Sequence, residues 1–317
     1  GPRGFLSGSG RSAADIAAEE KALRDALAWD EPAPEADEEI SQSDSEAPLP
    51  LENPLPAETS EAPVSATQPE QAVDTWPELW ADLPRMPVQP AALNQNLVIT
   101  ASRRNPVHAA FDVLRARLLQ ALSDNGWKRV AITSPTRDCG KTFVAVNLAV
   151  TLSRYENCRT VLMDLDMRNP SVAKTLGLTG VGSIGNYLRG ETGSDQHFFK
   201  FDKNSLHIGD NLAIAMNEVI EPYASELMQE GATRRRLDQM MGELQPHVVL
   251  FDLPPALAND DVIAFEDNFD GVLIVSDGTR TSGHEVREVM RRLGDSVPLL
   301  GVVLNKAEDA TGEEYGY

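Results

Sequence analysis

Long apolar runs are missing from this 317-residue sequence. Nothing in it approaches the run of about 18 apolar residues that a membrane-crossing helix needs, so no span is expected. Cysteine is scarce as well. Cys139 and Cys158 are the only two. They are too few for a disulfide framework, and they suit a reducing compartment. Positive charge runs short: 28 Lys and Arg stand against 49 Asp and Glu, a formal net charge of −21. No basic stripe offsets that excess, which argues against nucleic acid as the main partner. No secretory signal pattern opens the sequence.

The acidity is uneven. Residues 1–100 hold 5 Lys and Arg against 19 Asp and Glu, and the remainder holds 23 against 30. Fourteen of the 21 prolines lie at or before Pro106. A Pro, Glu, Ala and Ser-rich stretch of this kind buries too little apolar surface to offset its ordering entropy. Residues 1–95 are therefore expected to form a long disordered acidic arm. Two amphipathic islands interrupt it. Ser12 to Trp29 places Ile16, Leu23 and Leu27 on one helical face. In the second, Thr75 stands in the capping position, and Trp76, Leu79, Trp80 and Leu83 fall at i, i+3, i+4 and i+7. That stripe predicts helix-in-groove docking, either on a partner or on the chain's own domain.

The rest is organised around residues 130–142. Val130 to Thr133 reads as a buried parallel strand. A loop then leads to Gly140-Lys141-Thr142, and apolar residues continue at helical spacing through Leu152. Strand, loop, Gly-Lys-Thr and helix is the order of a phosphate-binding P-loop. The glycine lets backbone N–H groups close around phosphate, the helix N-terminus adds its positive end, and lysine and threonine reach phosphate oxygens and a cation. Pro135 stands where the full motif has its first glycine. By itself, Gly-Lys-Thr reads equally well as an ordinary helix start.

Further apolar strands are expected over Leu97–Thr100, Arg159–Asp166, Leu212–Met216, His247–Asp252, Gly271–Ser276 and Leu299–Leu304. Helices are expected from Pro106 to Leu122, over Ala224–Met228 and Arg234–Leu244, and from Gly283 to Leu293. Alternation of this kind predicts an α/β fold with a doubly wound, mostly parallel sheet over residues 96–310. Ligands of such sheets sit at the carboxyl ends of strands, where Ser134, Asp164, Asp166, Asp252 and Asn305 fall. One acid after an apolar run is an ordinary turn former. Several, together with a Gly-Lys-Thr loop, point to phosphate held through Mg²⁺.

Leu162-Met163-Asp164-Leu165-Asp166-Met167-Arg168-Asn169-Pro170, the Gly-Lys-Thr-Phe loop and Val248 to Pro255 resemble the Walker A′, A and B motifs of the bacterial tyrosine kinases (BY-kinases) of capsule and exopolysaccharide synthesis. Gly182 to Gly190 and Val302 to Lys306 resemble further segments of that family. Its P-loop NTPase fold is related to partition and septum-placement ATPases. Those carry a second lysine early in the loop, where Thr136 stands here, which favours the kinase branch.

The resemblance implies an ATP-dependent protein-tyrosine autokinase. Lys141 and Asp164 would be catalytic, with Asp164 orienting or deprotonating the tyrosine hydroxyl. Thr136, Arg137, Asp138, Cys139, Gly140, Lys141, Thr142, Phe143 and Asn305 would bind ATP, with Asn305 at the adenine. Thr142, Asp166 and Asp252 would hold Mg²⁺. Tyr315 and Tyr317, in a mobile tail over residues 311–317, would accept phosphate from a neighbouring subunit. The implied partners are a membrane polysaccharide co-polymerase (Wzz-like) acting as activator and further copies of the chain. Its implied place is the cytoplasmic face of the membrane, reached through that partner. Two departures stand out. Asp138 occupies a loop position where many relatives have glycine. Of the family's ring-forming Glu-x-x-Arg-x-x-Arg helix, only Arg115 remains. Two other readings stay open: an ATPase switch of the same fold without kinase activity, and a non-catalytic scaffold, against which the intact acids speak.

Overall fold

A computed structural model describes residues 77–101, 107–155 and 157–307. The strands are β1 (Arg85–Met86), β2 (Arg129–Thr133), β3 (Thr160–Asp164), β4 (Phe198–Phe201), β5 (Leu212–Ala215), β6 (Val248–Asp252), β7 (Gly271–Asp277) and β8 (Leu299–Asn305). Among the described residues they form one sheet in the order β1-β4-β5-β3-β6-β2-β7-β8. Only the β4–β5 pair is antiparallel. This is the doubly wound, mostly parallel P-loop fold expected from the alternating pattern.

The helices are α1 (Glu78–Asp82), α2 (Pro90–Gln95), α3 (His108–Asn125), α4 (Lys141–Ser153), α5 (Val172–Leu176), α6 (Ile184–Arg189), α7 (Ser194–His197), α8 (Ala224–Gln229), α9 (Gly231–Leu244), α10 (Asp261–Ala264) and α11 (Gly283–Leu293). The central strands alternate sides, as a pleat must. Ala131, Met163, Val249 and Phe251 enter one core, shared with Tyr187 of α6, Leu237 of α9 and Val289 of α11. Val130, Ile132, Leu162 and Leu250 enter the other, shared with Phe111 of α3 and Leu148 of α4. Burial on both faces explains why these strands read as continuous apolar runs. Local signals fix the helix ends. Ser282 and Glu285 form a reciprocal capping box at α11, and Ser183 accepts from the Asn186 N–H at α6.

Three expectations are corrected. The arm does not run to residue 95. Residues 77–95 build α1, β1 and α2 on the domain itself. Trp80 is fully buried and donates from Nε1 to the Asp210 carbonyl at 3.1 Å. Leu79 and Leu83 join the same core, while β1 pairs with β4. The apolar stripe therefore has an intramolecular groove. Losing an indole from such a core typically costs about 3–5 kcal/mol. The expected strand at Leu97–Thr100 is instead a 3₁₀ turn over Ile99–Ala101. The Asn147 side chain takes its backbone groups, accepting from the Thr100 N–H at 3.0 Å and donating to the Leu97 carbonyl at 3.1 Å. No neighbouring strand is then needed. β4 was not expected, because Phe198-Phe199-Lys200-Phe201 is short and interrupted by a lysine. The Ser12–Trp29 island, Thr75, Trp76, Pro106 and the tail with Tyr315 and Tyr317 lie outside the described residues.

Candidate active site

β3, β6 and β2 lie side by side and end level with one another. Asp164 is in register with Asp252, and Asp252 with Ile132. The loop after β2 is buttressed by the segment after β6. Thr133 Oγ1 donates to the Pro254 carbonyl at 2.7 Å, and the Ala256 and Leu257 N–H groups donate to the Ser134 and Pro135 carbonyls. Ser134 Oγ donates to the Thr136 carbonyl at 2.7 Å.

The loop then turns through Asp138 at φ +64° and Gly140 at φ +90°. At Gly140 a Cβ would lie 2.1 Å from Asn305 Nδ2, so no other residue fits there unstrained. Side chains from the ends of β7 and β8 take three successive loop carbonyls. Arg280 donates to that of Arg137 at 3.4 Å, Lys306 to that of Asp138, and Asn305 Nδ2 to that of Cys139 at 2.9 Å. The N–H groups of Arg137, Asp138 and Gly140 find no acceptor among the described residues. Unpartnered N–H groups in a tight loop at a helix N-terminus make an anion-binding nest.

The charge around this nest is concentrated. Lys141 Nζ lies 2.7 Å from Asp166 Oδ2 and 3.5 Å from Asp252 Oδ1. Thr142 Oγ1 donates to Asp252 Oδ2 at 2.6 Å and sits 3.0 Å from Ser171 Oγ. Asp164 Oδ2 accepts from the Ser171 and Val172 N–H groups at 3.0 and 2.9 Å. Its Oδ1 is buried without a partner among the described residues. Burial, then the neighbouring Asp252, raises the Asp164 pKa to about 8. Burial likewise raises that of Asp252, against the pull of Lys141 and Thr142. Burial opposes the charge on Lys141, but Asp252 and Asp166 outweigh it, and its pKa is raised. One lysine thus serves several buried carboxylates, a site short of positive charge.

A nest beside a lysine and several acids, on the central strand of a parallel sheet, matches a family model described as the CobQ/CobB/MinD/ParA nucleotide binding domain over residues 130–315. The chain belongs to that family. EpsB of Ralstonia nicotianae is 28% identical over 205 residues, which cover 64% of this chain and 26% of EpsB. The chain thus spans about a quarter of that relative's length. Tyrosine-protein kinase YwqD of Bacillus subtilis is 24% identical over 226 residues, 71% of this chain and 92% of YwqD. The kinase domain of Escherichia coli tyrosine kinase ETK superposes with a TM-score of 0.57 at 23% identity, covering 66% of this chain and 79% of that domain. At that identity the likeness is one of fold.

The expected loop residues gather around the nest, with different orientations. Asp138 is exposed, so its carboxylate is not buried in the nest. Phe143 packs edge-on against Phe111 of α3, with ring centroids 5.9 Å apart. The Cys139 thiol lies 3.6 Å from both the Thr136 and Thr281 hydroxyls. Arg115 pairs with Asp112 at 3.2 Å and lies over the Tyr155 ring.

Sequence reasoning missed two groups. Ser171 binds Asp164 through its N–H and approaches Thr142 through its hydroxyl. Asp277 anchors the β7 and β8 side of the loop: Thr279 donates to it from N–H and Oγ1 at 2.9 and 2.6 Å, and Lys306 Nζ at 3.0 Å. The signal was present, because the apolar run of β7 ends in an acid one residue past Ser276. Arg168, inside the A′ stretch, makes a two-point pair with Asp261 at 2.7 and 2.9 Å. Among the described residues no helix is long and apolar enough to cross a membrane.

Proposed function

We propose that this chain is an ATP-dependent protein-tyrosine kinase of the BY-kinase type, acting on itself and controlling capsule or exopolysaccharide assembly beside a membrane co-polymerase. The observation that carries the reading is the pairing of an unpartnered N–H nest with a lysine and three buried carboxylates at adjacent strand ends. Such a site is short of positive charge and long on acceptors, which suits a triphosphate arriving with a cation.

The donor set fits Mg²⁺. Thr142 Oγ1, Asp252 and Asp166 are hard oxygen donors, and Mg²⁺ takes one or two carboxylates and completes its shell with water and phosphate. Among the described residues no group of three or more His, Cys, Asp and Glu could hold a metal by itself, so phosphate oxygens would share in the binding. Bound there, Mg²⁺ supplies the positive charge that carboxylates and phosphates both need.

The chain's own groups do the rest. The nest and the start of α4 hold the β- and γ-phosphates. Lys141 turns from Asp166 to the γ-phosphate and stabilises charge gathering on its oxygens. The tyrosine oxygen attacks the γ-phosphorus, the bond to the β–γ bridging oxygen breaks, and ADP leaves. Without a bound cation Asp164 keeps its own proton up to about pH 8; the positive charge of Mg²⁺ beside it would favour the ionised form, and the phenolic proton would then pass to Asp164 Oδ1. Asn305, in this reading, meets the adenine from the outer rim, and Tyr315 and Tyr317 of a second copy are the acceptors.

The test mixes a Lys141→Met chain with an active chain lacking residues 311–317, with labelled ATP and Mg²⁺, and maps phosphate by mass spectrometry. Phosphate is expected on Tyr315 and Tyr317 of the Lys141→Met chain, which alone should be slower by about 10³-fold. ATP hydrolysis without phosphotyrosine would replace this reading with the ATPase switch. Neither hydrolysis nor transfer would remove the site from catalysis altogether.

A further inference from the structure

A second polar cleft lies between the end of α6 and the first turns of α9. It is an open depression of about 270 Å³, bordered by Leu188, Arg189, Ala232, Arg235, Arg236 and Gln239, among others. Three arginines and no acid line it, in a chain that carries 49 acids and 28 Lys and Arg. Arg189 is matched by Glu221. Arg235 and Arg236 have no carboxylate at ion-pair distance among the described residues. Arg236 stacks over the Tyr187 ring at 4.5 Å and donates from Nη1 to Gln239 at 2.8 Å and from Nη2 to the Thr192 carbonyl at 2.5 Å. These contacts hold its guanidinium in one place. Its Nε–H is buried and lacks an acceptor among the described residues. Arg235 folds back over its own helix start: a Cβ on Gly231 would lie 3.2 Å from Arg235 Nη1.

We infer that this cleft binds a phosphate monoester carried on a ring-sized group. Two uncompensated guanidiniums converge on it, one fixed by stacking and the other lying over the N-terminal turn of α9. Planar forks of donors of this kind match the oxygens of a phosphate dianion. The helix start adds its positive end. Volume selects the class. A free phosphate displaces only two or three waters, roughly 60–90 Å³ at about 30 Å³ each. The remaining space, beside Ala232 and the aliphatic stems of the arginines, suits a ring-sized group behind the phosphate. A phosphotyrosine side chain has that form. The inference does not depend on which chain made the phosphate, or on the reading of the P-loop.

The test is calorimetric titration of the full chain carrying Lys141→Met, with phenyl phosphate, inorganic phosphate and phenol as separate probes. Phenyl phosphate should saturate one site and bind more tightly than inorganic phosphate, and phenol should not bind. Arg236→Gln uncovers Tyr187 and so also disturbs the core. Arg235→Gln changes an exposed side chain and is the decisive variant. It should weaken phenyl phosphate about tenfold or more, the usual loss for one charge-assisted hydrogen-bonding group, with the unfolding midpoint unchanged. No saturable binding of phenyl phosphate overturns the inference, and so does an affinity that Arg235→Gln leaves unmoved. Equal affinity for inorganic phosphate removes the monoester assignment.

Discussion

On one side of the phosphate-binding loop, toward β3 and β6, Asp164, Asp166 and Asp252 share Lys141 as their near cation. Burial and mutual repulsion there hold the Asp164 pKa up at about 8. On the other side, toward β7 and β8, Asp277 has as little accessible surface, but it lies just beneath the half-exposed Lys306 and is fully met by Thr279 and Lys306. Its pKa is pulled down to about 2, first by the Thr279 hydroxyl. Both positions are aspartates at the ends of apolar strands in the same sheet. The difference is depth together with satisfaction: Asp164 lies deep among other acids, and Asp277 lies shallow with its partners in place. The outer wall is a finished network that anchors loop carbonyls and so fixes the shape of the nest. The inner wall is unfinished and gains by admitting a ligand that brings positive charge. Stability and function are therefore separated by two to three strand spacings of one sheet, about 10–14 Å, as expected where a site retains strain that the surrounding fold tolerates.

The comparison can be broken first at Gly140, where the two walls meet. Gly140→Ala places a Cβ against Asn305 Nδ2 at a left-handed φ. The backbone term costs about 1–2 kcal/mol, and losing the Asn305–Cys139 hydrogen bond adds about 1 kcal/mol. A fall of about 2–3 kcal/mol in urea-unfolding free energy is expected. In a double-mutant cycle with Asn305→Ala, the two costs should fall short of their sum, because both remove the same bond. Full additivity would mean that the outer wall does not hold the loop.

Asp277→Asn tests the outer wall directly. It replaces a charge-assisted network with neutral bonds and should cost about 1–2 kcal/mol at neutral pH. The folded pKa of Asp277 lies below its unfolded value near 4. Its contribution is therefore present above about pH 4 and is lost as pH falls toward 2. The variant should lack that acid limb in a plot of unfolding free energy against pH. An unaltered limb would assign the dependence to another carboxylate.

The sheet and the phosphate loop were legible because they rest on short-range pattern. Val130–Thr133 is apolar throughout since both its faces are covered, and Gly140 stands where a positive φ is required. The role of Asp277 was hidden because its partners, Thr279 aside, come from the far end of β8. Trp80 shows the complementary limit. Its spacing with Leu79 and Leu83 announced a docking face, but the groove that receives it is assembled from α9 and the loop at Asp210, more than a hundred residues away. Leu97–Thr100 misled because a strand and a turn capped by Asn147 look alike until Asn147 is placed beside it.

At pH 5 the remaining effect is small, but it gives the sharpest contrast, because its sign should reverse. Asp164→Asn keeps an oxygen to accept the Ser171 and Val172 N–H groups and replaces the unpartnered Oδ1 with a neutral amide nitrogen. In the folded chain the Asp164 carboxyl keeps its proton up to about pH 8, whereas in the unfolded chain it ionises near pH 4. Below pH 4 both states are protonated and the residue contributes no pH dependence. Between pH 4 and 8 the unfolded state is ionised and the folded state is not, so stability falls as pH rises. Above pH 8 the whole cost of burying the charge is present. Asparagine carries no such cost. Its gain should be near zero at pH 4 and grow steadily to pH 8, with about 5 kcal/mol as the upper bound if the whole shift belongs to Asp164. Asp164 and Asp252 titrate as a pair, so the midpoint of that rise belongs to both. Phosphoryl transfer should be lost in the same variant. Unfolding free energies of Asp164→Asn and Asp277→Asn, measured side by side at pH 5 and pH 8, should therefore move in opposite directions. If Asp164→Asn loses stability at pH 8 as Asp277→Asn does, the inner wall is as finished as the outer one, and the charge deficit that favours a cation-bound triphosphate is not there.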